Sequence, residues 1–255
     1  MVLLQLNRPL LAVAGMITLG VLTGCTPPSA PAPSSSPSSS PSSSPQASAA
    51  TEEPAPPARP ALVDLALSPS GLGTLLFGQP PETDPALSMM YYDPTACVDS
   101  ETGFPNGIVA GDPLAPAWLI DPSYEVPPSP NDSGKPFGVA IDESAGNVVT
   151  RIDLYTDDIP TDAGIRIGAS RADVQAAYPS AAVTESYLTD IYVITGPTGL
   201  LQIEVVSTST TDKASYWDAS GIADGLVLYI HAVTPTFGVF SVAASGNSVG
   251  ACNFG

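Results

Sequence analysis

Ser248 has the residue pattern of an activated serine nucleophile. It stands in Gly246-Asn247-Ser248-Val249-Gly250, the Gly-x-Ser-x-Gly spacing that places a serine on a sharp turn between a strand and a helix. Too few residues follow Gly250 to form that helix, and the single histidine, His231, precedes the serine, where this arrangement needs it to follow. We therefore expect a glycine-rich turn here and no catalytic serine.

His231 itself lies in an alternating run from Leu226 to Val233, on the same face as Tyr229. A lone histidine beside tyrosine and valine in a strand is typical of a sheet surface. We expect it to act neither as a base nor as a metal ligand.

Four carboxylates, Asp153, Asp157, Asp158 and Asp162, surround a proline-containing loop. Oxygen-rich loops bind Ca²⁺, but neither the EF-hand spacing nor a nonapeptide repeat is present. Solvated acids at a strand end are the expectation, with Ca²⁺ as the alternative. A glycosidase would need two carboxylates at a set separation, and the sequence does not single out a pair among 25 acidic residues. We assign no catalytic residue, no metal ligand and no cofactor.

Aromatic residues stand near Pro- and Asp-rich stretches at Tyr91-Tyr92, Trp118 and Tyr216-Trp217. Exposed, they would suit a sugar or a protein partner. Packed inside, they would belong to the core, and we favour this second interpretation.

The N-terminus has the order of an export signal. Arg8 precedes about thirteen uncharged residues, roughly 20 Å as a helix, which is too short for the ~30 Å core of a bilayer. The run ends in Leu22-Thr23-Gly24-Cys25, which resembles the lipobox of bacterial lipoproteins: an aliphatic residue, two small residues and an obligatory cysteine. The resemblance implies a signal peptide over residues 1–24, a lipid on Cys25, and anchoring on the exterior face of the cell membrane. The alternative is an ordinary signal peptide with a chance cysteine.

Residues 26–60 are almost entirely Ser, Pro and Ala, with near-copies of Pro-Ser-Ser-Ser starting at Pro33, Pro37 and Pro41. Such a segment cannot bury enough apolar surface to fold. We expect residues 25–60 to be a lipidated, disordered tether that reaches roughly 110 Å when extended. It is also a candidate for O-glycosylation.

Cys97 and Cys252 remain once Cys25 is lipidated. In an exported chain an even pair predicts a disulfide. The loop that it closes is long, so the bond should contribute about 5 kcal/mol to stability.

The charge balance excludes two classes of partner. Seven Lys and Arg oppose 25 Asp and Glu, which gives a net charge of −18. Nucleic-acid binding needs clustered basic residues, and electrostatic attachment to an anionic bilayer needs them too. The folded part, residues 61–255, is also short for a two-lobed transport protein.

The elements that must position these residues are mostly strands. Residues 136–142 and 148–155 form a predicted hairpin, with Val148, Ile152 and Leu154 inside and Arg151 and Asp153 on a wet face. Two further hairpins are predicted, from residues 187–195 with 200–207, and from residues 225–233 with 237–243. Ser170 and Asp173 form a capping box for a helix that ends before Pro179. This pattern predicts an α+β fold, mostly antiparallel β with a few short helices.

A weak internal repeat links residues 71–78 with residues 163–168, each a glycine-bracketed aliphatic stretch, the second followed by the Ser-x-x-Asp helix start. The pattern resembles the repeat of small lipoproteins of the SmpA/OmlA type, whose fold the β-lactamase-inhibitor proteins share. The resemblance implies two tandem helix-plus-sheet repeats, 61–158 and 159–255. Pro80-Pro81 departs from it, and a domain without repeat symmetry is the alternative.

The leading interpretation is a non-enzymatic, lipid-anchored envelope protein with a protein or glycan partner. Two alternatives stay open: a hydrolase that cuts cell-wall or extracellular polymers through a carboxylate pair, and a protein inhibitor.

Overall fold

The computed structural model describes residues 58–99, 107–128 and 134–252. The predicted signal peptide, Cys25 and the tether as far as residue 57 lie outside these residues. Among the helices of the described ranges, none has the length and apolar character needed to cross a bilayer.

The largest element is a six-stranded antiparallel sheet in the order β6-β7-β11-β10-β9-β8. Its strands are β6 (Phe137–Asp142), β7 (Val148–Leu154), β8 (Ala182–Glu185), β9 (Thr189–Thr195), β10 (Leu200–Val206) and β11 (Val227–Val233). The predicted hairpins 136–155 and 187–207 are both present as β6–β7 and β9–β10. Together with the short helices this confirms the predicted α+β class.

Smaller elements surround this sheet. Three two-residue strands, β1 (Leu67–Ser68), β2 (Gly71–Leu72) and β3 (Leu75–Leu76), form one small sheet, and β4 (Met90–Asp93) pairs with β5 (Ala117–Ile120). The α-helices of the described residues are α1 (Arg171–Ala177), α2 (Thr211–Ser220) and α3 (Val242–Ser245). Short 3-10 turns span Leu62–Asp64, Pro122–Tyr124 and Pro235–Phe237.

Period-two alternation gives the large sheet one apolar face. Leu154, Ile230 and Ile203 are all buried there, next to one another in register across β7, β11 and β10. The β1–β3 segment and α1 pack against this face, through Leu72 and Val174 among others. Burial of these aliphatic side chains is the main source of stability for the domain.

The capping box predicted for α1 is present. The Asp173 backbone N–H donates to Ser170 Oγ at 3.2 Å, and the Ser170 N–H donates to Asp173 Oδ2 at 3.0 Å. Both groups satisfy backbone donors that a helix start otherwise leaves unpaired. The glycine-bracketed stretch 163–168 precedes this helix, whereas residues 79–89, which follow the other such stretch, are turn and coil. The tandem-repeat interpretation stays a prediction.

Two expectations about the other face are wrong. Arg151 and Asp153 do not lie on a wet face, since they are only 4% and 3% exposed. The strand expected at residues 237–243 is instead a 3-10 turn followed by α3. The physical reason is the same for both: residues 234–252, the C-terminal segment, cross over this face of the sheet and cover it.

The C-terminal segment ends at the predicted disulfide. The sulfur atoms of Cys97 and Cys252 are at bonding distance, with their Cα atoms 5.2 Å apart. Cys97 is itself buried, and its N–H donates to Ala115 O at 2.9 Å. The bond therefore fixes the last described residue of the C-terminal segment to the loop that follows β4.

Replacing both cysteines, as Cys97→Ala/Cys252→Ala, should lower the free energy of unfolding by up to about 5 kcal/mol, because the unfolded chain regains the entropy of a long open loop. Urea denaturation of the variant and the parent measures the difference. Peptide mapping without reductant should recover the two cysteines in one fragment. Two free thiols in freshly purified protein would contradict the pairing.

Candidate functional site

The second face of the large sheet carries a row of buried polar side chains, here called the polar face. Its members are Arg151 and Asp153 on β7, Gln202 and Glu204 on β10, and His231 on β11; each is at most 4% exposed. Gln202, His231 and Asp153 stand opposite one another in register across the three strands. Burying this many polar groups is costly unless each finds a partner.

Most of these partners are backbone groups of the C-terminal segment. Gln202 Nε2 donates to Gly238 O at 2.9 Å, while the Phe240 N–H donates to Gln202 Oε1 at 3.1 Å. Further along, Arg151 Nη2 donates to Asn247 O at 2.6 Å. The amide of Gln202 thus pairs with the segment as a neighbouring strand would.

Glu204 holds the start of α3. Its carboxylate accepts hydrogen bonds from Ser241 Oγ at 2.6 Å, from Thr189 Oγ1 at 2.8 Å and from the Val242 N–H. A carboxylate at the first turn of a helix meets unpaired N–H groups and a favourable dipole. These contacts offset the cost of burying the charge of Glu204 and leave it no free position for chemistry.

Arg151 and Asp153 form a buried, bidentate ion pair. Arg151 Nε donates to Asp153 Oδ1 and Nη2 donates to Oδ2, both at 2.7 Å. The Val249 N–H donates to Asp153 Oδ2 at 3.0 Å, and Arg151 Cζ lies 4.6 Å from the centre of the Phe240 ring. Burial raises the pKa of Asp153 above its ordinary value, and the hydrogen bonds and charge of Arg151 act against that rise.

His231 is completely buried rather than on a sheet surface. Its ring centre is 4.8 Å from that of Phe240, and neither ring nitrogen has a hydrogen-bond partner. Nδ1 is 4.0 Å from Glu204 Oε1, too far for a hydrogen bond. Burial, helped by the nearby charge of Arg151, lowers the pKa of His231 to about 3. The imidazole is therefore neutral at physiological pH.

The other sequence candidates are not brought together. Gly246 closes α3 with φ at 66°, and Ser248 follows in irregular chain, half-buried. In the loop after β7, the carbonyls of Asp157 and Asp158 accept from Arg166 Nη1, and Asp162 accepts from the Tyr178 hydroxyl. In the described ranges no group of three or more acidic, histidine or cysteine side chains is placed to hold a metal ion.

The aromatic candidates divide into two groups. Trp217 is buried, and its Nε1 donates to Leu188 O at 2.8 Å, so it belongs to the core as expected. Tyr91, Tyr92 and Tyr216 are exposed, so the core interpretation is wrong for them. Tyr92 is 50% exposed and meets Trp118 edge to face, with ring centres 5.6 Å apart. Trp118 is half-buried, and one side of it faces a groove.

This groove has a volume of about 370 Å³, within the range of small-ligand sites. One wall is formed by β5, the floor by β6, and the other wall by the C-terminal segment next to the disulfide. Its lining residues include Trp118, Val139, Ile141, Glu143, Phe237 and Ser248. The sequence marks Trp118 as a candidate but does not indicate the groove, because its two walls come from segments more than a hundred residues apart.

Comparison of the chain with known protein families, with curated proteins and with solved structures finds no match.

The buried state of His231 predicts an acid-sensitive domain. The pKa is lower in the folded state than in the unfolded chain, where it is about 6.5, so the unfolded chain takes up the proton first. The stability that neutral His231 provides is complete above pH 6.5 and is lost as the pH falls from 6.5 towards 3, by at most about 1.4 kcal/mol per pH unit.

His231→Phe should flatten this part of the stability–pH curve, because phenylalanine keeps the ring contact with Phe240 and takes up no proton. Urea denaturation at several pH values between 7 and 4 measures the slope. Tyr229→Phe, on the same strand and face, is the control and should leave the slope unchanged. Equal slopes for His231→Phe and the parent would contradict the assignment.

Proposed function

We propose that this chain is a lipid-anchored protein of the bacterial cell exterior, whose domain binds a partner in the groove between β5, β6 and the C-terminal segment. The lipobox at Cys25 and the Ser/Pro-rich tether support the location. The groove supports the binding role, because it combines aromatic and aliphatic side chains with polar groups in a concave site.

One observation carries the proposal: the groups that could do acid–base chemistry are buried and already have structural roles. Asp153, Glu204 and Arg151 are buried in bonds that hold the C-terminal segment, and His231 is neutral beneath Phe240. Among the described residues that line the groove, Glu143 is the one carboxylic acid. Polymer hydrolysis through a carboxylate pair would need a second. Recognition without catalysis fits this lining best.

The anchor is tested by Cys25→Ala. This substitution should abolish labelling of the protein by radioactive palmitate in growing bacteria, because the thiol that receives the lipid is gone. Ser29→Ala, within the same segment, is the control and should be labelled like the parent. A Cys25→Ala protein that is still labelled would refute the lipobox assignment.

The groove is tested in the full lipidated chain by placing the photo-reactive residue p-benzoylphenylalanine at Phe237, which is 48% exposed on the groove lining. Irradiation of intact cells should give an adduct of defined mass. Protease treatment of the adduct then separates a protein partner from a glycan. The same residue at Tyr187, which is 72% exposed and lies beyond β8, is the matched control and should give none.

Trp118→Ala in the photo-reactive chain should reduce the yield about tenfold, as expected when an aromatic anchor is removed from a binding site. A melting curve of the purified variant shows whether the fold is retained. Equal yields from Phe237 and Tyr187, or no adduct at Phe237, would contradict binding in the groove.

A further inference from the structure

The floor of the groove is the free edge of a sheet. β6 is the end strand in the sheet order, so only one of its edges is paired, with β7. Val139, Ala140 and Ile141 lie along the groove and are half-buried. A free edge carries backbone N–H and C=O groups that another extended chain can pair with.

The direction of the Val139 backbone follows from the ladder beside it. The Tyr155 N–H donates to Pro136 O at 2.9 Å, in the same register as the pairs of Gly138 with Asp153 and of Ala140 with Arg151. Hydrogen-bonded and non-hydrogen-bonded pairs alternate along antiparallel strands. Gly138 and Ala140 therefore bond to β7, and the N–H and C=O of Val139 point away from it, into the groove.

A bulge shifts the pairing of β6 with β7 between Ala140 and Ile141, and the contacts of β7 beyond it show which way the backbone N–H and C=O of Ile141 point. The partner of Ile141 in register is Val149. The Val149 N–H donates to Gln79 O at 2.9 Å, and Val149 O accepts from the Gly78 N–H at 3.0 Å. Since Val149 turns its backbone groups away from β6, Ile141 also turns its own away from β7. The groove floor thus offers two donors and two acceptors on alternate residues, the spacing of a strand ladder.

The two walls separate this edge from the other end of the sheet. Pro116 and Trp118 stand on one side of the β6 edge, and Val249 and Gly250 stand on the other. At the opposite end, all four residues of β8 are exposed. An extended chain seated on β6 would bury its side chains against both walls, whereas one on β8 would remain in solvent.

The acidic charge near the groove and over the whole chain favours a basic occupant. Glu143 is exposed on the lining, and Asp142 precedes it on β6, whereas Lys135 lies at the other end of this edge, near Trp118 and Val139. Arg151 is also a lining residue, but its guanidinium is paired with Asp153. With 25 acidic residues against seven basic ones, the whole chain attracts cations and repels acidic partners.

We infer that the groove takes an extended peptide with alternating apolar and basic side chains, which adds as a strand to the free edge of β6. This inference rests on the proposed function and specifies its partner: main-chain bonds to Val139 and Ile141 give affinity, and the walls and Glu143 select side chains.

The test uses the purified full-length lipoprotein in detergent and a fluorescent octapeptide of alternating valine and lysine, with binding followed by fluorescence anisotropy. Two further octapeptides are compared: one in which glutamate replaces lysine, and one with alternate amides N-methylated. The lysine peptide should bind at least about tenfold more tightly than either, since the others lose charge attraction or edge bonds.

Val139→Pro is the sharpest variant. Proline removes the N–H that points into the groove and none of the N–H groups that bond to β7, a position at which edge strands tolerate it. It should weaken peptide binding at least about tenfold. Val139→Ala, which keeps the N–H, should retain most of the affinity, and the melting temperature of each variant is recorded alongside.

Val183→Pro on β8 is the matched control. The Ser186 N–H donates to Thr189 O, and this register turns the Val183 backbone away from β9 as well. The control should bind the lysine peptide like the parent. If Val183→Pro loses binding and Val139→Pro does not, the peptide binds at the edge of β8 rather than β6, and the inference is wrong.

Failure of the inference is distinguishable from failure of the proposed function. If the lysine peptide does not bind, or binds equally well when N-methylated, strand addition is wrong. A glycan adduct at Phe237 in cells would then preserve the groove as a binding site with another occupant. Val139→Pro could unfold the protein and so give no binding result. In that case, weaker binding of the N-methylated peptide to the parent protein still supports the edge bonds.

Discussion

The bonds between sheet side chains and the backbone of the C-terminal segment are the interaction on which the rest of this structure depends. A segment that crosses a sheet face rather than joining its edge has no ladder to satisfy its amides. Here Gln202 and Asp153 supply the missing acceptors, and Gln202 and Arg151 the missing donors. The same bonds compensate for burying the polar side chains. The side chains and the backbone groups of the segment thus offset the desolvation cost of one another.

The groove is a product of that arrangement. Its second wall is chain that passes over β6 and β7 and reaches Cys97, held at one end by the disulfide and along its length by Asp153 and Arg151. Gly138 is part of the fit: a Cβ there would come within 2.4 Å of Val249 O, so only glycine lets the wall approach the sheet this closely. The groove is thus shaped by backbone placement more than by the identity of the residues that line it.

Sequence patterns predicted the hairpins, the start of one helix and the disulfide pairing. Alternation gave the hairpins β6–β7 and β9–β10, the Ser170–Asp173 spacing gave the start of α1, and the pair of remaining cysteines gave the disulfide. Alternation distinguishes two faces of a strand, but it does not say what covers each, so Arg151 and His231 were expected in solvent. Residues 237–243 alternate like a strand because Phe240 and Val242 pack inward, although their amides bond to side chains. Helix α2, rich in Ser, Thr and Asp, was missed because its stability comes from the burial of Trp217 rather than from local propensity.

The disulfide also determines how mechanical load would pass through the domain. All six strands of the large sheet lie in sequence between Cys97 and Cys252, inside a covalently closed loop. The chain enters from the N-terminal side, outside that loop, and the groove stands beside the point of closure. Tension between the N-terminal side and an occupant pulling on the C-terminal wall would cross from Cys252 to Cys97 through a covalent bond. The closed loop thus gives this tension a covalent path beside the hydrogen bonds of the sheet.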